Sequence, residues 1–99
     1  MKKEDNPRVS IILPTYNNAR TLRECLEGIS MQDYKDYEIL LIDGGSTDNT
    51  LDISKEFNCK IIKNLFRIEE IARVIGIKKS KGEILCFIDA DNFILNKEW

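Results

Sequence analysis

Glu38-Ile39-Leu40-Leu41-Ile42-Asp43-Gly44-Gly45-Ser46-Thr47-Asp48 is the stretch that decides the fold. Its first five residues are almost continuously apolar, a run too short for a helix and suited to a strand buried on both faces. The run ends at a carboxylate. The two glycines, serine, threonine and aspartate that follow read as a turn delivering an N-cap to a helix that runs to about Phe57. A doubly buried strand feeding directly into a helix is a unit of a parallel α/β sheet.

The pattern repeats on either side. Upstream, Val9-Ser10-Ile11-Ile12-Leu13 is closed by Pro14 and reads as a first strand. Thr21 followed by Glu24 has the form of a capping box, and Leu22, Cys25, Leu26 and Ile29 recur at helical spacing as far as Gln32. Downstream, Cys59 to Ile62 is a predicted third strand and Ile68 to about Ser80 a third helix. Lys81-Gly82 is its stop and Glu83 to Ile88 a fourth strand. Right-handed crossovers place the second and third strands on one side of the first, and a reversal places the fourth on the other. The expected class is therefore α/β: a Rossmann-like parallel sheet of order 3-2-1-4 with flanking helices, preceded by a flexible tail over residues 1–7.

Ninety-nine residues allow one small domain, and a composition of 42% hydrophobic and 32% charged residues supplies one core with a solvated surface. The formal net charge is −2, with both signs interspersed, so there is no basic stripe and no nucleic-acid partner is expected. The longest apolar runs fall far short of the ~20 residues that span a bilayer. No apolar stretch of signal-peptide type follows Lys2 and Lys3. The expected location is cytoplasmic, with membrane association left open for a longer parent enzyme. The chain has no histidine, which excludes Ser-His and Cys-His nucleophile pairs. Cys25, Cys59 and Cys86 form no C-x-x-C pair and read as buried free thiols.

In open parallel sheets, ligands bind beyond the carboxyl ends of the strands where the strand order reverses. The residues there are Pro14-Thr15-Tyr16-Asn17-Asn18, Asp43-Gly44-Gly45-Ser46 and Asp89-Ala90-Asp91-Asn92. They contain neither a G-x-G-x-x-G nor a G-K-[ST] phosphate loop, which argues against dinucleotide oxidoreductases and P-loop enzymes. Asp89 and Asp91, two residues apart after an apolar strand, project to one side if the segment is extended. Two converging carboxylates repel unless a cation lies between them, and a hard divalent ion bridging them to a phosphate resolves the conflict. The alternative is a surface Asx turn. Asp43 could either cap the next helix or accept a hydrogen bond from a ligand, and Tyr16 could be a rim aromatic or a platform for a base.

Taken together, Val9 to Asn17, Tyr37 to Thr50, Ala72-Arg73 with Gly76, Lys81-Gly82-Glu83 and Phe87-Ile88-Asp89-Ala90-Asp91 resemble glycosyltransferase family 2, of GT-A fold, over residues 8–99. That resemblance implies transfer of a sugar from a nucleotide-diphosphate donor (UDP-, GDP- or dTDP-type) to a hydroxyl acceptor, with inversion. It also implies a divalent metal, Mn²⁺ or Mg²⁺. Pro14, Thr15 and Tyr16 would flank the nucleotide base, and Asn17 would hold the loop. Asp43 and the backbone around Gly44 would approach the base. Asp89, with Ala90, would lie by the ribose and donor sugar, and Asp91, with Asp89, would hold the metal. The sequence departs from the family at three places: Gly44 stands where many members carry a second Asp, Val74 where Asn is frequent, and Asn92 where a third Asp is common.

Residues 8–99 are thus expected to be the nucleotide-sugar-binding half of a glycosyltransferase domain, truncated at the C-terminus. The general base would come from sequence after Trp99, and this chain alone would be inactive. The alternative is a stand-alone nucleotide-sugar or partner-binding module without catalysis. The edge of the fourth strand offers a surface for self-association. An aspartate-based phosphatase is disfavoured because its Asp-x-Asp belongs on the first strand. A receiver domain lacks its acidic group after that strand, and an EF-hand would need other residues than Phe93 and Ile94.

Overall fold

The computed structural model describes residues 6–64, 66 and 68–90. Asp91 and the first five residues of the expected tail lie outside them. The elements alternate as β1 (Val9–Thr15), α1 (Ala19–Ser30), β2 (Tyr37–Asp43), α2 (Thr50–Glu56), β3 (Lys60–Lys63), α3 (Glu69–Lys79) and β4 (Ile84–Phe87). All pairings are parallel and the sheet order is β3-β2-β1-β4, as predicted.

Both faces of the sheet are covered, which is why its central strands are apolar without alternation. On one face, Ile11 and Leu13 of β1 and Ile39 and Leu41 of β2 pack with Leu22, Cys25, Leu26 and Ile29 of α1 and Ile53 of α2. On the other, Ile12, Leu40 and Ile42 pack with Ala72 of α3. Ile11, Ile12 and Leu13 are each 0% exposed although successive side chains point to opposite faces. Among the described residues, no helix is long and apolar enough to cross a membrane.

Three local expectations are corrected. The Thr21/Glu24 capping box is not the start of α1: the helix begins at Ala19 with Asn18 in the N-cap position. The reason is tertiary. The Ala19 N–H donates to Asp48 Oδ2 at 3.2 Å, so a carboxylate from another loop supplies the cap and the helix starts earlier. Helix α3 ends at Lys79, before the expected Lys81-Gly82 stop. Its C-cap, Ser80, is extended (φ −72°, ψ 149°), and a Cβ on Gly82 would lie 2.7 Å from Ser10 N and 2.7 Å from Val9 C. Glycine is required there because the chain passes against β1. Finally, the three thiols are free, but only Cys25 is buried, and Cys59 and Cys86 are partly exposed. Burial, reinforced by the neighbouring Cys25, pushes the Cys59 thiol up to about 12, so it stays protonated and unreactive.

Helix α2 closes with a motif that the sequence signals only weakly. Asn58 adopts φ 61°, its N–H reaching Lys55 O at 3.3 Å while Cys59 N–H reaches Ser54 O at 3.3 Å. These are the two bonds of a Schellman ending, with asparagine taking the place usually held by glycine.

Candidate functional site

The C-terminal ends of β1 and β2 meet in a loop system held together by side chains. Thr15 and Asp43 are register partners at the end of both strands, and Thr15 Oγ1 donates to Asp43 Oδ1 at 2.7 Å. Asp43 Oδ1 also accepts from Ser46 Oγ at 2.6 Å, while Oδ2 accepts from the Gly45 N–H at 2.9 Å and the Ser46 N–H at 2.7 Å. Gly45, at φ +98°, lets the turn close back on the carboxylate. Burial raises the Asp43 pKa, but the donors from Ser46, Thr15 and Gly45 outweigh it, so the group is held below the usual carboxylate range.

A second set of bonds ties this loop to the one after β1. Asn17, at φ 51°, accepts at Oδ1 from the N–H groups of Thr47 (2.8 Å) and Asp48 (3.3 Å), and its own N–H donates to Ser46 Oγ at 2.8 Å. Asn18 N–H donates to Thr50 Oγ1, whose hydroxyl donates to Asp48 Oδ1. Asp48 Oδ1 also takes the Thr50 N–H and Oδ2 the Ala19 N–H, so one carboxylate serves the first residue of both α1 and α2. The hydroxyl bond from Thr50 leads the causes that lower its pKa, with the backbone N–H groups of Thr50, Ala19 and Asp48 itself adding to it. The positive ends of these two helices are therefore already matched by a negative charge from the protein.

Beside this lattice, on the α3 side of the sheet, lies a cleft of about 200 Å³. Pro14, Thr15, Tyr16 and Asn18 form the wall after β1, and Ile42 and Gly44 the wall at the end of β2. Asn64, Ile68 and Ala72 close it from the β3–α3 side. Tyr16 and Ile68 are 41% and 48% exposed, which leaves flat apolar surface at the rim, whereas Asn64 is 3% exposed. Asn64 braces its own loop: its N–H donates to Asp43 O at 2.7 Å, Nδ2 to Ile68 O at 3.3 Å, and Oδ1 accepts from the Phe66 N–H at 3.3 Å.

Of the residues singled out in the sequence, Pro14, Thr15, Tyr16 and Gly44 line this cleft. Asn17 and Asp43 stand behind it as parts of the lattice. Asp89 is exposed beyond the end of β4, at the same edge of the sheet, but is not part of the cleft wall. The Ala90 methyl is 4% exposed and belongs to the α1-side core, so its side chain is not a ligand contact. Asp91 lies outside the described residues. Asp48, Thr50, Asn64 and Ile68 were not singled out for the site, and Ser46 was placed at a strand end without a role. Asn64 had a usable signal, since it directly follows the third strand and the rule applied to the other strands reaches it. The bonds that join the loop after β1 to the end of β2 and the loop after it cross 28 to 32 residues of sequence and leave no local pattern.

A doubly wound parallel sheet with a cleft at its carboxyl edge defines the class of open α/β folds that place ligands at strand ends. The sequence matches the Glycosyl transferase family 2 profile over residues 10–99, and the chain belongs to that family. It is 38% identical over 93 residues to glycosyltransferase AglE of Haloferax volcanii, covering 86% of this chain and 31% of that protein. Among solved structures, Staphylococcus aureus TarS 1–349 in complex with UDP-GlcNAc superposes with a TM-score of 0.79 at 30% identity, over 92% of this chain and 28% of that one. Mannosyltransferase PcManGT from Pyrobaculum calidifontis, in complex with GDP-Man and Mn²⁺, gives a TM-score of 0.84 at 28% identity, over 94% and 30%. The chain thus spans about a third of the length of these relatives.

Proposed function

We propose that this chain is the donor-binding portion of a family 2 glycosyltransferase that takes a nucleoside diphosphate sugar, with a divalent metal, and passes the sugar with inversion to a hydroxyl acceptor. The observation that carries the reading is the cleft itself, which has Thr15 and Gly44 in its walls, the Tyr16 ring at its rim, and a prebuilt lattice behind it. TarS and PcManGT, with the same fold, are seen with UDP-GlcNAc and GDP-Man.

In this reading the base enters between Tyr16 and Ile68, where a ring face meets apolar surface. The diphosphate cannot use the N-termini of α1 and α2, because Asp48 already occupies them. Charge compensation must come from another source, and the exposed Asp89 is a hard oxygen donor at the same edge. Among the described residues there is no cluster of three or more His, Cys, Asp or Glu side chains. One or two carboxylates suit a Mg²⁺- or Mn²⁺-type ion that keeps water and phosphate oxygens as its other ligands. Asp91 would be its principal ligand, with Asp89 shared between the ion and the donor ribose. When bound, such an ion stabilises the negative charge that develops on the leaving diphosphate. The chain's own residues bind and orient: Thr15 and Gly44 face the base, and Asp43, Asn17 and Asp48 keep both loops in place.

Calorimetric titration with UDP, GDP and dTDP, with Mn²⁺ present or chelated, tests the reading. Metal-dependent binding is expected, weakened at least about tenfold by chelation and more by Asp91→Ala than by Asp89→Ala, since a lost ligand costs more than the ~1 kcal/mol of an ordinary hydrogen bond. Absence of nucleotide binding with metal present would reject it.

A further inference from the structure

Among the described residues, β3 and β4 are the two edges of the sheet, and they are built differently. Lys60 and Lys63, both exposed, bracket β3, and a charged edge of this kind resists pairing with another chain. Ile84-Leu85-Cys86-Phe87 of β4 carries neither charge nor proline, and Ile84 and Phe87 are 48% and 43% exposed. The Ile84 and Ile88 N–H groups donate to the carbonyls of Arg8 and Ile12 on the β1 side. Because a parallel ladder uses alternate residues, Leu85 and Phe87 turn their N–H and C=O groups outward.

We infer that this edge is a self-association surface, on which β4 pairs antiparallel with β4 of a second copy of this chain about a two-fold axis through Leu85. The pairing is independent of the donor-binding reading. Its register follows from faces and charge. A two-fold axis perpendicular to the sheet keeps the α3 faces of both copies on one side, so a residue must lie on the axis and pair with its own counterpart. Leu85 packs on the α3 side and Cys86 on the α1 side, so Glu83, Leu85 and Phe87 share the α3 face. An axis through Cys86 would set Glu83 of each copy opposite Asp89 of the other, two like charges. An axis through Leu85 instead sets Glu83 opposite the second copy's Phe87, and the Arg73 guanidinium lies over that ring, 6.0 Å from its centroid. Each copy thus brings a carboxylate to the other's guanidinium, twice per dimer, beside a row of apolar side chains. The edge is complementary to itself in charge as well as in hydrogen bonding, which is what selects a second copy as its occupant.

Sedimentation equilibrium of the 99-residue chain over a concentration series should show monomer and dimer in exchange. Arg73→Glu and Glu83→Lys, both at exposed positions, each turn the two attractions into repulsions and should raise the dimer dissociation constant at least about tenfold. Mixing the Arg73→Glu chain with the Glu83→Lys chain restores opposite charges at both contacts, so the mixture should dimerise at least about tenfold more tightly than either variant alone. Circular dichroism checks folding. Arg73→Gln and Glu83→Gln, which remove the attraction without adding repulsion, serve if a charge-reversed chain folds poorly, and each should also weaken the dimer. A parent chain that stays monomeric at every concentration, folded variants that dimerise as the parent does, or a mixture no tighter than its components would overturn the inference.

Discussion

Thr15 and Asp43 face each other across the last rung of the β1–β2 pairing, and the hydroxyl of the first donates to the carboxylate of the second at 2.7 Å. One buried side-chain bond thus joins the two strands that support the cleft. Asp43 is 2% exposed and takes three more donors, two of them backbone N–H groups of its own turn. Its carboxylate is a fastening for the loop, with its oxygens used internally.

Asp43→Asn should therefore destabilise the chain and weaken nucleotide binding together. The amide loses the charge assistance of all four hydrogen bonds, and the Thr15 and Ser46 hydroxyls must turn from donating to accepting, a change expected to cost about 1–3 kcal/mol. Urea denaturation should show a lower midpoint with an unchanged slope. Thr15→Val, which leaves Asp43 its other donors, should cost about 1 kcal/mol.

Acid should destabilise the fold through two groups at opposite ends of the sheet. Burial raises the pKa of both Asp43 and Glu38, and hydrogen bonds outweigh that, leaving each below its ordinary value. A carboxyl with a depressed folded-state pKa contributes stability above the unfolded value, about 4, and loses it as pH falls through the folded value. Urea midpoints should be flat near neutrality and fall below about pH 4. Asp43→Asn and Glu38→Gln should each flatten that fall, and an unchanged acid limb in both variants would contradict the assignment.

Glu38 also predicts a contrast between partners. Its carboxylate accepts from Ser10 Oγ at 2.6 Å, the Lys81 N–H at 2.8 Å and Lys60 Nζ at 2.9 Å. The first two are shielded, whereas the Lys60 side chain is 51% exposed. Glu38→Ala should cost about 2–4 kcal/mol, because it strands buried donors. Lys60→Met should cost under about 1 kcal/mol, as exposed ion pairs do. Paired denaturation curves compare them directly.

Gly82→Ala should be among the more damaging single-methyl additions. Backbone atoms of Val9 and Ser10 would lie 2.7 Å from the new carbon, and the Gly82 N–H bond to Ser10 Oγ, now 2.8 Å, would be pushed apart. A loss of about 1–3 kcal/mol is expected, measured by thermal or urea unfolding. A neutral result would show that the β4 approach can shift freely.

What the sequence determined by itself is the alternation and the wiring of the sheet. Continuous apolar runs such as Ile11-Ile12-Leu13 and Ile39-Leu40-Leu41-Ile42 admit only strands covered on both faces, and right-handed crossovers leave one sheet order, 3-2-1-4. Periodicity and chirality are local rules, so they can be read along the chain. The same rules place Thr15, Tyr16 and Gly44 just past the strand ends, and there they line the cleft. Only the tertiary structure decided what each polar side chain does. Asp48 reaches the first turn of a helix 29 residues upstream, Asn17 receives N–H groups from a loop 30 and 31 residues on, and Gly82 is a glycine because Ser10 lies against it. A hydrogen bond depends on distances of a few ångströms between atoms brought together by the whole fold. For that reason Asp43, an open choice between helix cap and ligand contact in the sequence, became the buried fastening between two strands.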